Sequence, residues 1–218
     1  MRTLTPDEVE KLLDAGKDEY CYPLVYMALS CGLRQAELLG LRWRDIDLDM
    51  CGISVTQVYY KRRGVSLFKE PKTAHSRRRV AMTPKLAVFL RQYKASREVL
   101  YLETGKILSP DSLVFTSFRG EPLSPSTVMN SFKRIRAKAG LSGVRFHDLR
   151  HTFASLMLMR GAKPKVISEA LGHASVAFTM DTYSHIIEGM QEDAMALLDG
   201  VLPNGHVQSF NANLTPTS

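Results

Sequence analysis

The sequence predicts a mainly helical α+β fold with a small antiparallel sheet of about three strands on one edge. Two observations carry that expectation. Through most of the chain, apolar residues recur at helical spacing behind a Thr-Pro, Ser or Lys-Pro start and ahead of a Gly stop. Between residues 46 and 82 the pattern changes to short β-rich segments separated by turn residues.

The first helix opens at Thr5-Pro6-Asp7-Glu8, where Thr5 can cap, Pro6 fits the first turn and the acids suit the positive end of the helix dipole. Leu12 and Leu13 form its apolar face and Gly16 is its stop. A second helix over 20–30 carries Leu24, Val25, Met27, Ala28 and Leu29, nearly all core. Gly32 breaks it, and helix resumes over 34–41. Strands are expected over 53–60, 65–68 and 79–82, with hairpin turns at 61–64 and 71–76. Thr83-Pro84 opens a helix to about residue 101, and Ser124 opens one over 126–139. Two shorter helices follow, one running through Arg150 to Gly161, the next from Lys163-Pro164 to Gly172. A last amphipathic helix over 186–198 can fold back or dock on a neighbouring subunit, and the polar residues beyond it are expected to be disordered.

At 218 residues the chain suits one domain with a tail, and its 44% hydrophobic and 23% charged content is ordinary for a globular protein. Its charge is less ordinary: 29 Lys plus Arg against 22 Asp plus Glu give +7, which favours a polyanionic partner. Cys21, Cys31 and Cys51 are odd in number and imply neither disulfides nor a zinc site. The start has no apolar signal-like region and no stretch is long enough to span a bilayer, so a cytoplasmic protein without membrane association is expected.

Chemistry concentrates between His147 and Tyr183. His147 and Arg150, three apart, share one face of a helix turn; His173 follows a Leu-Gly stop, and Tyr183 comes ten residues later. Arginine and imidazole donate to phosphate oxygens, and a phenol is a possible nucleophile. Nothing there resembles a metal cage. Arg34 lies among Leu33, Leu38, Leu39 and Leu41, where an unpaired guanidinium is costly; an internal pair with Glu37 and a phosphate role are both open on these residues alone. Lys72 sits in a turn, where a lysine is ordinarily just solvated, with Lys69 close by.

These elements together resemble the tyrosine recombinase, or phage integrase, family. The likeness rests on HDLR over 147–150, LGH over 171–173, DTYSH over 181–185, GLRQAELLGLRWRDID over 32–47 and KTAHSRRRV over 72–80, five elements in the family's order. It implies the family's catalytic-domain fold over 1–200, with 201–218 a tail and the usual preceding DNA-clamping helical domain absent from this chain. It implies cleavage and rejoining of double-stranded DNA at an attachment-type site through a 3′-phosphotyrosyl link, in integration or excision of a phage or mobile element in a bacterial cell. Tyr183 would be the nucleophile, Arg34, Arg150, His147 and His173 the phosphate ligands, Lys72 the general acid and Glu37 the residue orienting the pocket. No cofactor or metal is implied, and a homo-oligomer, a tetramer on DNA, is expected. Arg77, Arg78, Lys133, Arg134, Arg136 and Arg145 are the expected DNA contacts, while His151 and His185 are assigned structural places. A type IB topoisomerase-like activity shares this chemistry. A non-catalytic regulator built on the helix-turn-helix-like region around 147–172 is the reading from a different class.

Overall fold

A computed structural model describes residues 2–71, 76–184, 186, 187 and 195. Helix α1, Pro6–Gly16, begins at a reciprocal cap: Glu8 N donates to the Thr5 hydroxyl (3.2 Å) and Thr5 N to the Glu8 carboxylate (3.0 Å). Helix α2, Tyr22–Cys31, ends on Gly32 in the left-handed region, φ 63°. Helix α3, Gln35–Gly40, starts directly after Arg34, whose backbone is extended.

A 3₁₀ turn, Trp43–Asp45, leads into the β region. Strands β1 (Ile46–Asp47), β2 (Gly52–Val55) and β5 (Arg78–Ala81) form an antiparallel sheet in the order β1-β2-β5, with Ile53 opposite both Ile46 and Val80. Strands β3 (Val58–Arg62) and β4 (Val65–Lys69) form a separate hairpin. Its two-residue turn, Arg63 and Gly64 at φ 49° and 82°, has the doubly positive geometry that matches strand twist.

The single strand expected over 53–60 is thus two strands. The interruption falls at Thr56 and Gln57, whose side chains bond elsewhere. The Thr56 hydroxyl donates to Asp45 (2.9 Å) and accepts from Arg42 (2.9 Å), and the Gln57 amide donates to the Gly40 carbonyl (2.7 Å). A Cβ on Gly40 would stand 3.0 Å from the Gln57 carbonyl and Val58 Cα, so glycine lets α3 close onto β3. The second expected turn, at 71–76, lies mostly outside the described residues.

Helices α4 (Pro84–Glu103) and α5 (Pro125–Lys138) are capped by Thr83 and Ser124. Helix α6, Asp148–Met159, packs along α2, and α7, Pro164–Leu171, stops at Gly172 with φ 64°. Helix α8, Val176–Thr182, is capped by Ser175 and was not anticipated from the sequence. Of the last expected helix, Ile186 and Ile187 are helical; most of it, its docking and the polar tail lie outside the described residues.

Leu12, Leu24, Met27, Leu38, Ile53, Leu86 and Phe132 belong to the principal core, each buried side chain contributing about 1.5–3 kcal/mol. A second cluster gathers Ala154, Leu158, Ile167 and Leu171 around Tyr183. Among the described residues no helix is long and apolar enough to cross a membrane.

Candidate active site

Four helix ends meet at one place. Gly32 closes α2, Arg34 opens α3, His147 opens α6 and Gly172 closes α7. Arg150 ties them together. Its guanidinium donates to the Gly32 carbonyl (2.8 Å) and the Leu171 carbonyl (2.5 Å), and the residue is only 3% exposed. Both acceptors are carbonyls next to helix stops, groups a helix terminus leaves free. Burial, then the charge of Arg34, pushes its pKa down to about 9, so it remains a cation at neutral pH.

Glu37 is the carboxylate of this centre. It accepts from Arg34 N (2.8 Å), from Arg34 Nη1 (2.9 Å), and from Arg78 Nη1 and Nη2 (3.0 and 2.9 Å). Burial alone would raise its pKa, but the Arg78 fork and Arg34 outweigh it and hold the carboxyl below its usual range. Two guanidiniums, Arg34 and Arg78, therefore face one carboxylate, and the charge of Arg150 stands close by. The centre has an excess of positive charge, and Arg34, with a side chain 39% exposed, brings it to the surface.

Arg34 separates two hollows. One is walled by Gln35, Met129, Arg145, His147 and Arg150. The other is walled by Glu37, Tyr60, Lys69, Pro71 and Ser76. Lys72 lies outside the described residues, but the positions on either side of the undescribed stretch, 71 and 76, border the second hollow. Lys69 lines that hollow too.

The histidines surround this centre with depressed pKa values. Burial, then Arg150 and Arg34, lower His147; the same causes push His173 down to about 4. His173 Nδ1 pairs with the buried Thr179 hydroxyl at 2.8 Å, fixing its ring against α8. Tyr183 is fully enclosed, and its hydroxyl lies 2.9 Å from His151 Nδ1. Burial pushes Tyr183 up to about 12, while burial and His147 push His151 down to about 4. His151 thus carries no positive charge at neutral pH and its Nδ1 can accept from the phenol.

His151, given a structural place from the sequence, is the residue that the fold brings to the Tyr183 hydroxyl. Its spacing from His147 gave a signal, since residues four apart share a helix face; their rings are 4.9 Å apart and perpendicular.

The expected DNA contacts divide. Arg78, expected at the surface, has a side chain only 7% exposed: besides Glu37 it donates to the Ala170 carbonyl at 2.6 Å, so it is an internal strut of the pocket. Arg134 and Lys138 are clamped on Glu19 (2.8 and 3.0 Å), whose pKa the Arg134 hydrogen bonds pull down to about 2. Arg136 donates to the Val144 carbonyl, Arg145 to Asp148 (2.9 Å) and Arg77 to Glu70. Lys133 is exposed and has no ion pair among the described residues.

The hollow beside the starts of α3 and α6 is lined by Arg34, Arg145, His147 and Arg150 and suits an anion, while the Tyr183 phenol is enclosed against His151 and does not line it. Among the described residues no three His, Cys, Asp or Glu side chains gather as a metal site. The model of the phage integrase family matches residues 2–189. The chain belongs to the phage integrase family. Among relatives in the family, a tyrosine recombinase XerC-like protein of Caldanaerobacter subterraneus subsp. tengcongensis is 29% identical over 211 residues, covering 91% of this chain and 54% of the relative. The ICEBs1 integrase of Bacillus subtilis is 31% identical over 204 residues, covering 93% and 55%. The chain spans about half the length of these relatives. In fold it is similar to XerA recombinase, with a TM-score of 0.69, 26% identity and coverage of 89% of this chain and 64% of that one. It is also similar to the Tn1549 transposon integrase solved with circular intermediate DNA, at TM-score 0.71, 23% identity and coverage of 83% and 61%.

Proposed function

We propose that this chain is the catalytic part of a site-specific DNA recombinase that cuts and rejoins strands through a 3′-phosphotyrosyl intermediate, serving integration and excision of a phage or mobile element. One observation carries the reading: the Arg34 and Arg78 guanidiniums converge on the single carboxylate of Glu37 with the buried Arg150 cation close by and an enclosed tyrosine near it, a centre whose charge calls for an anion. Its similarity to tyrosine recombinases and integrases agrees with this, as does the DNA bound to the Tn1549 integrase.

In this reading a phosphodiester occupies the hollow bordered by Arg34, His147 and Arg150. Of the five N–H groups of Arg150, two are held by carbonyls, which leaves three for non-bridging oxygens. Arg34, less confined, supplies a second cation. When the Thr179 hydroxyl donates to His173 Nδ1, the proton of that ring resides on Nε2, a donor for the same oxygens. These preset donors stabilise charge as it develops on the phosphoryl group. The Tyr183 oxygen attacks phosphorus, the P–O5′ bond breaks, and Lys72 protonates the departing oxygen. Attack by a partner strand's 5′ hydroxyl reverses the step. Arg78 and Glu37 hold Arg34 at the correct angle. Lys133, Arg145 and Arg77 contact flanking phosphates, the partner is double-stranded DNA in the cytoplasm of a bacterial cell, and four copies assemble on it.

The test is covalent trapping on nicked duplexes tiled across the DNA flanking its own gene, comparing wild type with Tyr183→Phe on denaturing gels. The reading requires an adduct in the wild type and none in the variant. Relaxation of supercoils without joining of two duplexes would favour the topoisomerase-like activity, and tight duplex binding without any adduct would favour the regulator.

A further inference from the structure

We infer that His151 is the proton acceptor and positioning partner of the Tyr183 phenol; this rests on the recombinase reading above and deepens it. Loss of a proton by the attacking phenol is required by the chemistry. Among the described residues, the hydrogen-bond partner of the Tyr183 hydroxyl is His151 Nδ1, at 2.9 Å. His147 and His173 are otherwise placed: His147 borders the anion hollow with Arg34 and Arg150, and His173 Nδ1 is occupied by Thr179.

Geometry favours the assignment in two ways. A nucleophilic oxygen attacks phosphorus with a lone pair, so its proton must point elsewhere. Donation to Nδ1 holds the proton on the side of α6 and leaves both lone pairs of the oxygen free. His151 also stands next to Arg150 and one helical turn from His147, so the acceptor is fixed to the same helix as the phosphate ligands. The ring is half-buried and neutral, and with its own proton on Nε2 its Nδ1 accepts. Its charged and titratable neighbours are His147, Asp148, Arg150 and Arg145 on and before α6, with Tyr183 and His173 facing it from the other side.

The step balances. The Tyr183 oxygen forms its bond to phosphorus, the phenol proton moves to His151 Nδ1, the P–O5′ bond breaks, and the leaving oxygen takes a proton from Lys72. Religation returns each proton to its source.

The experiment compares wild type, His151→Asn and His151→Ala in single-turnover adduct formation on a trapped nicked duplex, with normal and 5′-bridging-sulfur leaving groups, across pH. Asn places an oxygen acceptor near the position of Nδ1 but cannot take up a proton. General-base catalysis is worth roughly 10²–10⁴-fold, so His151→Asn is expected to slow adduct formation by about 10²-fold or more while duplex binding and thermal melting stay at wild-type values. The loss should persist on the sulfur substrate, whose leaving group needs no acid, and shrink as pH rises. Wild-type rates in His151→Asn with a loss confined to His151→Ala would reduce the residue to positioning and overturn the proposal, as would full rescue by bridging sulfur. No adduct even in wild type would overturn the recombinase reading itself, and this inference with it.

Discussion

Replacing Glu37 by Gln tests whether one carboxylate holds the cationic centre together. Four N–H groups converge on it at 2.8–3.0 Å. Glutamine offers one acceptor oxygen, removes the charge and turns an NH₂ toward two guanidiniums. Arg34 is partly in water and its pair contributes only tenths of a kcal/mol, about the value of a surface ion pair. The Arg78 fork differs, with side chains 7% and 4% exposed. Breaking a buried pair costs about 3–5 kcal/mol, and the hydrogen bond that glutamine retains places the loss near the lower end, about 3 kcal/mol. For a domain of this size that is a fall in Tm of about 6–12 °C. The loss must depend on pH. Glu37 is held below its ordinary carboxylate range, so its contribution is fully present above the unfolded pKa and disappears as pH falls through the native one. Denaturant unfolding at neutral pH and at several acid values reads this directly. A deficit under about 0.5 kcal/mol at pH 7, the size of an ordinary surface substitution, would refute the reasoning. So would a deficit that stays constant into acid.

Three further outcomes follow from the same structure. Gly32→Ala places a Cβ 2.5 Å from Phe153 and 2.8 Å from Leu171 at φ 63°, and the left-handed strain plus overpacking should cost about 2–5 kcal/mol in urea unfolding; a loss under 1 kcal/mol would show that the junction yields. Glu19→Gln releases Arg134 and Lys138, so the slope of log affinity against log salt for random duplex should steepen by about 1.8, and an unchanged slope would mean these cations do not face DNA. His151 and His173 should stay neutral until pH nears about 4 in NMR titrations. Because the unfolded rings protonate near pH 6.5, stability from both is present above that value and is lost as pH falls toward 4; ring shifts titrating near 6.5 would contradict their burial.

Much of this was legible because it is local. Thr5, Thr83 and Ser124 cap helices over three residues, Gly32 and Gly172 stop them, and HDLR places His147 and Arg150 within a single turn. What escaped depends on chain separation. Arg78 reads as a surface cation until the fold brings it to Glu37, 41 residues away, and Arg134 reads as free until α5 docks beside Glu19, 115 residues away. The strand break at Thr56 and Gln57 was hidden because their partners Asp45 and Gly40 belong to two other elements, the 3₁₀ turn and α3. Helix α8 had a usable signal, Ser175 ahead of Val176, but its seven residues are too few for periodicity to register. Since α8 returns Tyr183 to α6, missing it also hid the pairing with His151.

The central claim is that Tyr183 becomes bonded to DNA. The most direct measurement is mass spectrometry of the protease- and nuclease-digested trapped complex, locating the residue that carries the nucleotide. The added mass is expected on the peptide containing Tyr183, at its phenol oxygen and joined to a 3′-phosphate. Nucleotide on any other residue, or a 5′-phosphate linkage, would contradict it.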